Sequence, residues 1–476
     1  MFDQQINFWI KRSAAPLASA LLLSSCGSVD TRQSFHNVQQ TVQTQTGNRV
    51  EWLKDGKEDR ETEESINALL RNKLTADAAV QIALVNNRNL QAELEEIGIS
   101  QADLVQAGLL KNPGFAASIR FPDRPPSPAD TEFSVVQDFL DLVMLPMREK
   151  IAAIELNQTE LHVANKAMDL AQDVKSAFYS LAAAHELLAR LKTISEIDNA
   201  ALALAEEQHK SGNISELDLE TQRAISTRNW IEVTQTEAEV TSGREKINRL
   251  LGLKGSQIFW TMQHGLPPLP ERDLVFESLQ SQAMQYRPDL RIAREEARKL
   301  KQIADLKDNT RLLPGGVNVG ADTERNPDRS RVSGPTLEVQ VPLFDQGEAQ
   351  VARLRAQQRQ AERRAEELAT DIESEIREVC VRLRFAREAT DQFKKFLLPQ
   401  REKILNLSQQ QYNYMLKGPY DLLLARQSLA ETERAYISSW RDYWLARTSL
   451  ERVVGGRLPE RGIPLKKAEP LKEKTK

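Results

Sequence analysis

Apolar residues recur at Ala167, Leu170, Val174, Ala177, Leu181, Ala184, Leu188 and Leu191, alternating steps of three and four. That is the seam of a long helix packed against a neighbour with knobs in holes. The run from Glu149 to Lys210 holds no proline, and the first glycine is Gly212. At 1.5 Å per residue it predicts a rod of about 90 Å. After Leu191 the seam takes two three-residue steps, to Ile194 and Ile197, a stammer. Lys210-Ser211-Gly212-Asn213 turns the chain, and a return helix runs from Ser215 to Leu251, stopping at Gly252. Upstream, Leu74-Thr75-Ala76-Asp77 opens a helix expected to reach about Leu110, with Thr75 as N-cap. Asn112-Pro113-Gly114 ends it, and the period drops to two through Phe115, Ala117, Ile119 and Phe121, a half-buried strand. Pro122 to Asp130 carries four prolines and reads as a loop. A second strand is expected over about Glu132–Leu140, and Pro146 leads into the long helix.

The order then repeats. Gln285 to Leu290 answers Val85 to Leu90, and Leu313-Pro314-Gly315 answers Asn112-Pro113-Gly114. Alternating strands follow at Val317, Val319 and Ala321 and at Leu337, Val339 and Val341, around a loop expected at Thr323–Pro335. Asp345-Gln346-Gly347-Glu348 reads as a capping box opening the second long helix, Gln346–Leu416, with a kink expected at Pro399. Lys417-Gly418-Pro419 answers the turn at Gly212, and Val454-Gly455 answers Leu251-Gly252. Landmarks in one order at offsets of 200 to 206 mark an internal duplication.

At the N-terminus Lys11 and Arg12 precede an apolar stretch, Ala14–Leu23, and then Leu23-Ser24-Ser25-Cys26. This is a secretory signal, and its end resembles a bacterial lipobox, with Cys26 the acylated residue. No aspartate follows in Gly27-Ser28, which favours the outer membrane. The division expected is a signal peptide at 1–25, an extended periplasmic leader at 26–73, repeats at 74–252 and 274–458, a linker at 253–273 and a charged tail at 459–476.

Composition supports long helices with narrow seams: 28% of residues are charged and 6% aromatic. A net charge of −4 leaves no basic footprint for nucleic acid. Cys26 and Cys380 make no disulfide framework, and His36, His162, His185, His209 and His264 show no ligand spacing. No nucleophile elbow or phosphate loop occurs, so neither an enzyme nor a cofactor beyond the Cys26 lipid is expected. The fold class is mainly α with four strands per chain. Four alternating strands cannot close a barrel alone, and an open edge is not tolerated in lipid; two further copies would bring the count to twelve, enough for a pore.

In this order of elements, and in Ala107-Gly108-Leu109-Leu110-Lys111-Asn112-Pro113, Gln340 to Gly347 and Tyr414 to Gln427, the chain resembles the TolC-like outer-membrane efflux proteins from about Leu74 to Leu458. The resemblance implies a homotrimer, a twelve-stranded membrane barrel continuing into a periplasmic helical barrel, and passive export. Its partners would be a periplasmic adaptor and an inner-membrane pump, the lipobox suiting the resistance-nodulation-division type. By the same analogy Ser211, Gly212, Asn213, Lys417, Gly418 and Pro419 form adaptor-binding tips, while Asp421 and Leu424 form an acidic and an apolar gate ring. For Asp421 the bland alternative is a charge favoured by the helix dipole. Two rivals remain at this stage: a duct for type I protein secretion, and a lipid-anchored periplasmic scaffold without a pore.

Overall fold

The computed structural model describes residues 28–458 apart from breaks at 55–56, 122, 124–128, 263–264, 271–275, 311–315 and 327–329. Cys26, the tail at 459–476, His264 and the Leu313-Pro314-Gly315 landmark therefore lie outside the described residues. Eleven α-helices are described here: α1 (Arg32–Thr46), α2 (Lys57–Arg71), α3 (Ala76–Asn86), α4 (Arg88–Ala107), α5 (Phe139–Lys210), α6 (Glu216–Leu251), α7 (Phe276–Tyr286), α8 (Pro288–Thr310), α9 (Glu348–Gln392), α10 (Leu398–Asn413) and α11 (Pro419–Val454). Four strands complete the set: β1 (Gly114–Arg120), β2 (Asp130–Asp138), β3 (Val317–Arg325) and β4 (Arg331–Val339).

The chain forms two compact units. Among the described residues the first comprises 28–35, Glu96–Thr159 and Glu296–Arg359; the second comprises His36–Glu95, Glu160–Glu295 and 360–458. The first contains one antiparallel sheet in the order β1-β2-β3-β4. The loop expected at Thr323–Pro335 is mostly strand, because β3 and β4 remain paired out to Arg325 and Arg331. Gly320 is placed by close approach: a Cβ there would lie 2.5 Å from the Val135 carbonyl oxygen and 2.7 Å from Thr336 Oγ1. The long helix α5 starts at Phe139, before Pro146 rather than after it. Asp138 explains the early start, since its Oδ1 accepts from the Leu140 and Asp141 amides and caps the first turn. Beyond β4, Asp345 Oδ1 accepts from the Gly347 amide, and α9 opens at Glu348.

In the second unit the seam of α5 is wider than a two-position stripe. Val163, Ala164, Phe178, Tyr179, Ala182 and Ala183 are buried alongside Ala167, Val174, Ala177 and Leu181. A helix buried over so broad a face has neighbours from its own chain on more than one side. A second apolar cluster joins Leu279, Leu290, Ile372, Ile376, Leu383, Tyr443 and Leu450. The leader read as extended is helical over α1 and α2 and is tied down: Gln45 Nε2 donates to the Tyr286 carbonyl, and Gln81 Nε2 to that of Arg49.

The duplication is real in three dimensions, with sharper landmarks than the sequence offers. The helix expected to run from Leu74 to Leu110 is broken at Asn87, and its counterpart is broken at Arg287. Thr75 does cap the first segment, its Oγ1 accepting from the Ala78 amide at 3.2 Å. Asn87 Nδ2 donates to the Leu250 carbonyl and its Oδ1 accepts from the Leu90 amide, so one side chain ends α6 and starts α4. Arg287 reaches the Val453 carbonyl at the end of α11 in the same way. Both return helices then stop on a left-handed glycine, Gly252 and Gly455. At Pro399, where a kink is expected, Phe393–Leu397 widens into a π turn, with the Leu398 amide reaching the Phe393 carbonyl, which leaves room for a ring lacking an N–H.

Candidate functional site

The sheet is the first functional element. Register places Phe115, Val135, Ala321 and Pro335 in one row across the four strands. The same face carries Ile119, Phe133, Val317, Val319, Leu337 and Val339, with polar Thr131, Thr323, Arg325, Arg331 and Ser333 gathered at the end nearest the β1–β2 and β3–β4 turns and Gln137 toward the other. The opposite face carries Ser118, Arg120, Glu132, Ser134, Asn318, Asp322, Glu324, Thr336 and Glu338, with Val136 and Val332 as its apolar exceptions. Arg120 pairs there with Glu132 at 3.4 Å, and Asn318 Nδ2 donates to Glu338 at 3.3 Å. The apolar face is bare: Phe115 is 77% exposed and Leu337 69%. The sheet is bounded by β1 and β4, each paired along one side within it. A wide apolar face left open to water and two open edges are features a water-soluble fold avoids. Phe115 and Ile119 fall on the apolar face and Ser118 and Arg120 on the other, as alternation along a strand requires; Phe121 is exposed but lies just beyond β1.

The two helix turns are the second element, and both are solvent-exposed. In the first, Gly212 is left-handed at φ 72°, its amide donating to His209 and the Asn213 amide to Gln208. Ser215 then opens α6 through a reciprocal capping box with Asp218. In the second, the left-handed residue is Met415 at φ 59°, whose amide donates to Tyr412 while that of Leu416 donates to Gln411. Gly418 is the extended N-cap of α11. The conformational partner of Gly212 is thus Met415, not Gly418, and that of Gly418 is Ser215. Taking 212 from 415, 215 from 418 and 252 from 455 gives 203 each time, so the two turns have equal length.

The structure brings the predicted gate residues together on α11. Asp421 lies in its first turn and Leu424 one turn on; both are exposed, while Leu422 and Ala425 between and beside them are buried. Sequence reasoning passed over Tyr414, Met415 and Leu416, which expose three large apolar side chains in a row at the second turn. Among the described residues no helix is long and apolar enough to cross a membrane, and no group of three His, Cys, Asp or Glu side chains could hold a metal ion.

No family model matches the chain. The cobalt-zinc-cadmium resistance protein CzcC of Cupriavidus metallidurans is 22% identical over 395 residues, spanning 80% of this chain and 90% of that protein. The Campylobacter jejuni CmeC outer membrane channel superposes with a TM-score of 0.69 at 16% identity, over 86% of this chain and 90% of its own. The fold is the TolC-like outer-membrane channel fold. Two further structures agree: CusC, with a TM-score of 0.67 at 15% identity over 80% of this chain and 92% of its own, and VceC of Vibrio cholerae, with 0.66 at 16% over 83% and 96%. The resemblance carried by the repeated order of elements therefore holds at the level of the fold.

Proposed function

We propose that this chain is the outer-membrane exit duct of a tripartite export system. The observation that carries the reading is the sheet, which has an exposed apolar face, a charged face and two open edges. In lipid such a sheet must close with copies of itself, and three chains give twelve strands, an even number with a wet interior. Acylation of Cys26 adds an anchor. The turns at Ser211-Gly212-Asn213 and Lys417-Gly418-Pro419 meet a periplasmic adaptor, with Tyr414, Met415 and Leu416 as apolar contacts, and a resistance-nodulation-division pump supplies the energy. Asp421 and Leu424, repeated by three-fold symmetry, form a charged and an apolar ring; carboxylates held close repel one another and attract cations. The similarity to a cobalt-zinc-cadmium resistance protein makes divalent heavy-metal cations the cargo class to test first.

The experiment is current through planar bilayers from purified full-length protein, with Asp421→Ala measured beside wild type. Discrete channels are expected, with a higher open probability in the variant. Folded trimers silent in both forms would overturn the duct reading; equal gating in the two would overturn only the gate. Deleting the gene is expected to raise cobalt, zinc or cadmium sensitivity, and unchanged sensitivity to all three would redirect the search for cargo.

A further inference from the structure

Within the second unit, α5, α6, α10 and α11 line a half-open cavity of about 270 Å³. It lies beside the change of register in α5, at Leu191, Ile194 and Ile197. The two three-residue steps at Leu191, Ile194 and Ile197 rotate the apolar stripe of α5, and the π turn at Phe393–Leu397 shifts that of α10. The walls are mainly Leu191, Ile194, Ile225, Leu405, Leu423 and Leu429.

Charged side chains are spaced along the cavity. Asp198 on α5 is only 5% exposed and accepts from Asn229 Nδ2, while its backbone carbonyl accepts from Gln222 Nε2 at 3.3 Å. Arg426 on α11 faces it electrostatically. From α6 come Arg228 and Glu232, 3.5 Å apart, and Glu232 also holds Arg434 of α11. Glu433 has Arg190 of α5 at 4.0 Å and Glu402 of α10 against it; Glu431 accepts from Gln427 at 3.0 Å. Four carboxylates thus line the cavity beside three guanidinium groups. Burial pushes the Asp198 and Glu433 carboxyls above their ordinary range, and their arginine and amide neighbours do not pull them back. Acids left in that condition gain from an added positive charge. A bare metal ion lacks a ligand set here, since no three acidic or histidine side chains converge among the described residues. Apolar walls instead favour a cation that brings its own apolar body.

We propose that this cavity is a binding site for a small amphipathic organic cation, with its ammonium on Asp198 and its body among Leu191, Ile194, Ile225, Leu405 and Leu423. By proportion with benzene in a cavity of roughly 150 Å³, the guest has about ten non-hydrogen atoms. Touching both α5–α6 and α10–α11, it ties the two helix pairs together at the level where their seams lose register. The binding claim is independent of the duct reading, and its test does not use conductance.

The probe is para-fluorophenethylammonium, followed by fluorine NMR line broadening on full-length protein in lipid nanodiscs. Saturable broadening is expected at neutral pH, weakening as acid protonates Asp198. Asp198→Asn keeps the shape of the side chain and is expected to weaken binding about tenfold or more, the scale of a charge-assisted contact. Neutral para-fluorotoluene is expected to bind wild type and Asp198→Asn alike, and Ala430→Trp, which fills the cavity, to exclude both probes. Absence of saturable broadening in wild type overturns the proposal. So does equal affinity of the ammonium probe for Asp198→Asn, or tighter binding of para-fluorophenylacetate. Should Ala430→Trp not fold, the Asp198→Asn comparison decides alone.

Discussion

Met415 holds a left-handed backbone that costs a residue with a Cβ about 1–2 kcal/mol, and its side chain, 93% exposed, recovers nothing by packing within the chain. The first turn meets the same geometric demand with Gly212. That is why the first tip could be read from the sequence and the second was displaced onto Gly418: a glycine announces a left-handed cap, whereas a methionine in that role gives no signal. Met415→Gly is predicted to stabilise the last turn of α10 by about 0.5–1 kcal/mol, after allowing for glycine's greater freedom when unfolded. Slower amide exchange at Tyr414 and Leu416, on either side of the substituted cap, would register it. Faster exchange would mean that the methionine side chain is held by a partner, which is the role assigned to it at the adaptor contact. Retained strain at an exposed turn is a reason to look for such a partner.

At the scale of elements, the caps, strands and return helices were legible because each is announced by residues within a few positions of its end. The breaks at Asn87 and Arg287 are of another kind. At the first, Asn87 caps α4 locally through the Leu90 amide, but the same side chain is also tied across the fold to the Leu250 carbonyl, 163 residues away in sequence. The start of α5 ahead of Pro146 and the π turn before Pro399 escape a sequence reading for a related reason, since a proline's effect depends on the backbone around it. Arg287 is the more consequential joint. Its side chain is 8% exposed and bridges Asp289 at 2.6 Å and Glu375 at 2.9 Å beside the end of α11. Arg287→Met is predicted to cost about 1–3 kcal/mol, because it removes charge-assisted contacts to carboxylates that are themselves 30% and 40% exposed. Burial pushes the Asp289 carboxyl up, yet Arg287 more than offsets this and holds it below its ordinary 3.8. A depressed acid stabilises the fold above its unfolded value, and that stability is lost as pH falls through the folded one. Wild-type melting temperature is therefore predicted to drop on acidification below about pH 4. The drop should shrink in Arg287→Met; an identical pH profile in both proteins would remove Asp289 from the account.

For the whole molecule, the period of two already marked the strands, and the duplication supplied four of them. What no single chain states is closure, because on the duct reading the partner of each open edge is another copy. The test is to place one charge on each face at neighbouring positions of β2. Val135 stands in the central apolar row, and Ser134 projects from the opposite side beside Asp322. An arginine at the middle of a lipid-facing strand costs about 2–4 kcal/mol, and three-fold symmetry repeats that cost in every protomer. Val135→Arg is therefore predicted to lose membrane-inserted, heat-resistant trimer on semi-native gels while the helices keep their circular dichroism. Ser134→Arg, facing water and an acidic neighbour, is predicted to assemble as wild type and to shift bilayer reversal potentials toward anions. If both variants assemble equally well the sheet does not meet lipid on its apolar face, and if Ser134→Arg is the one that fails, the faces have been assigned the wrong way round.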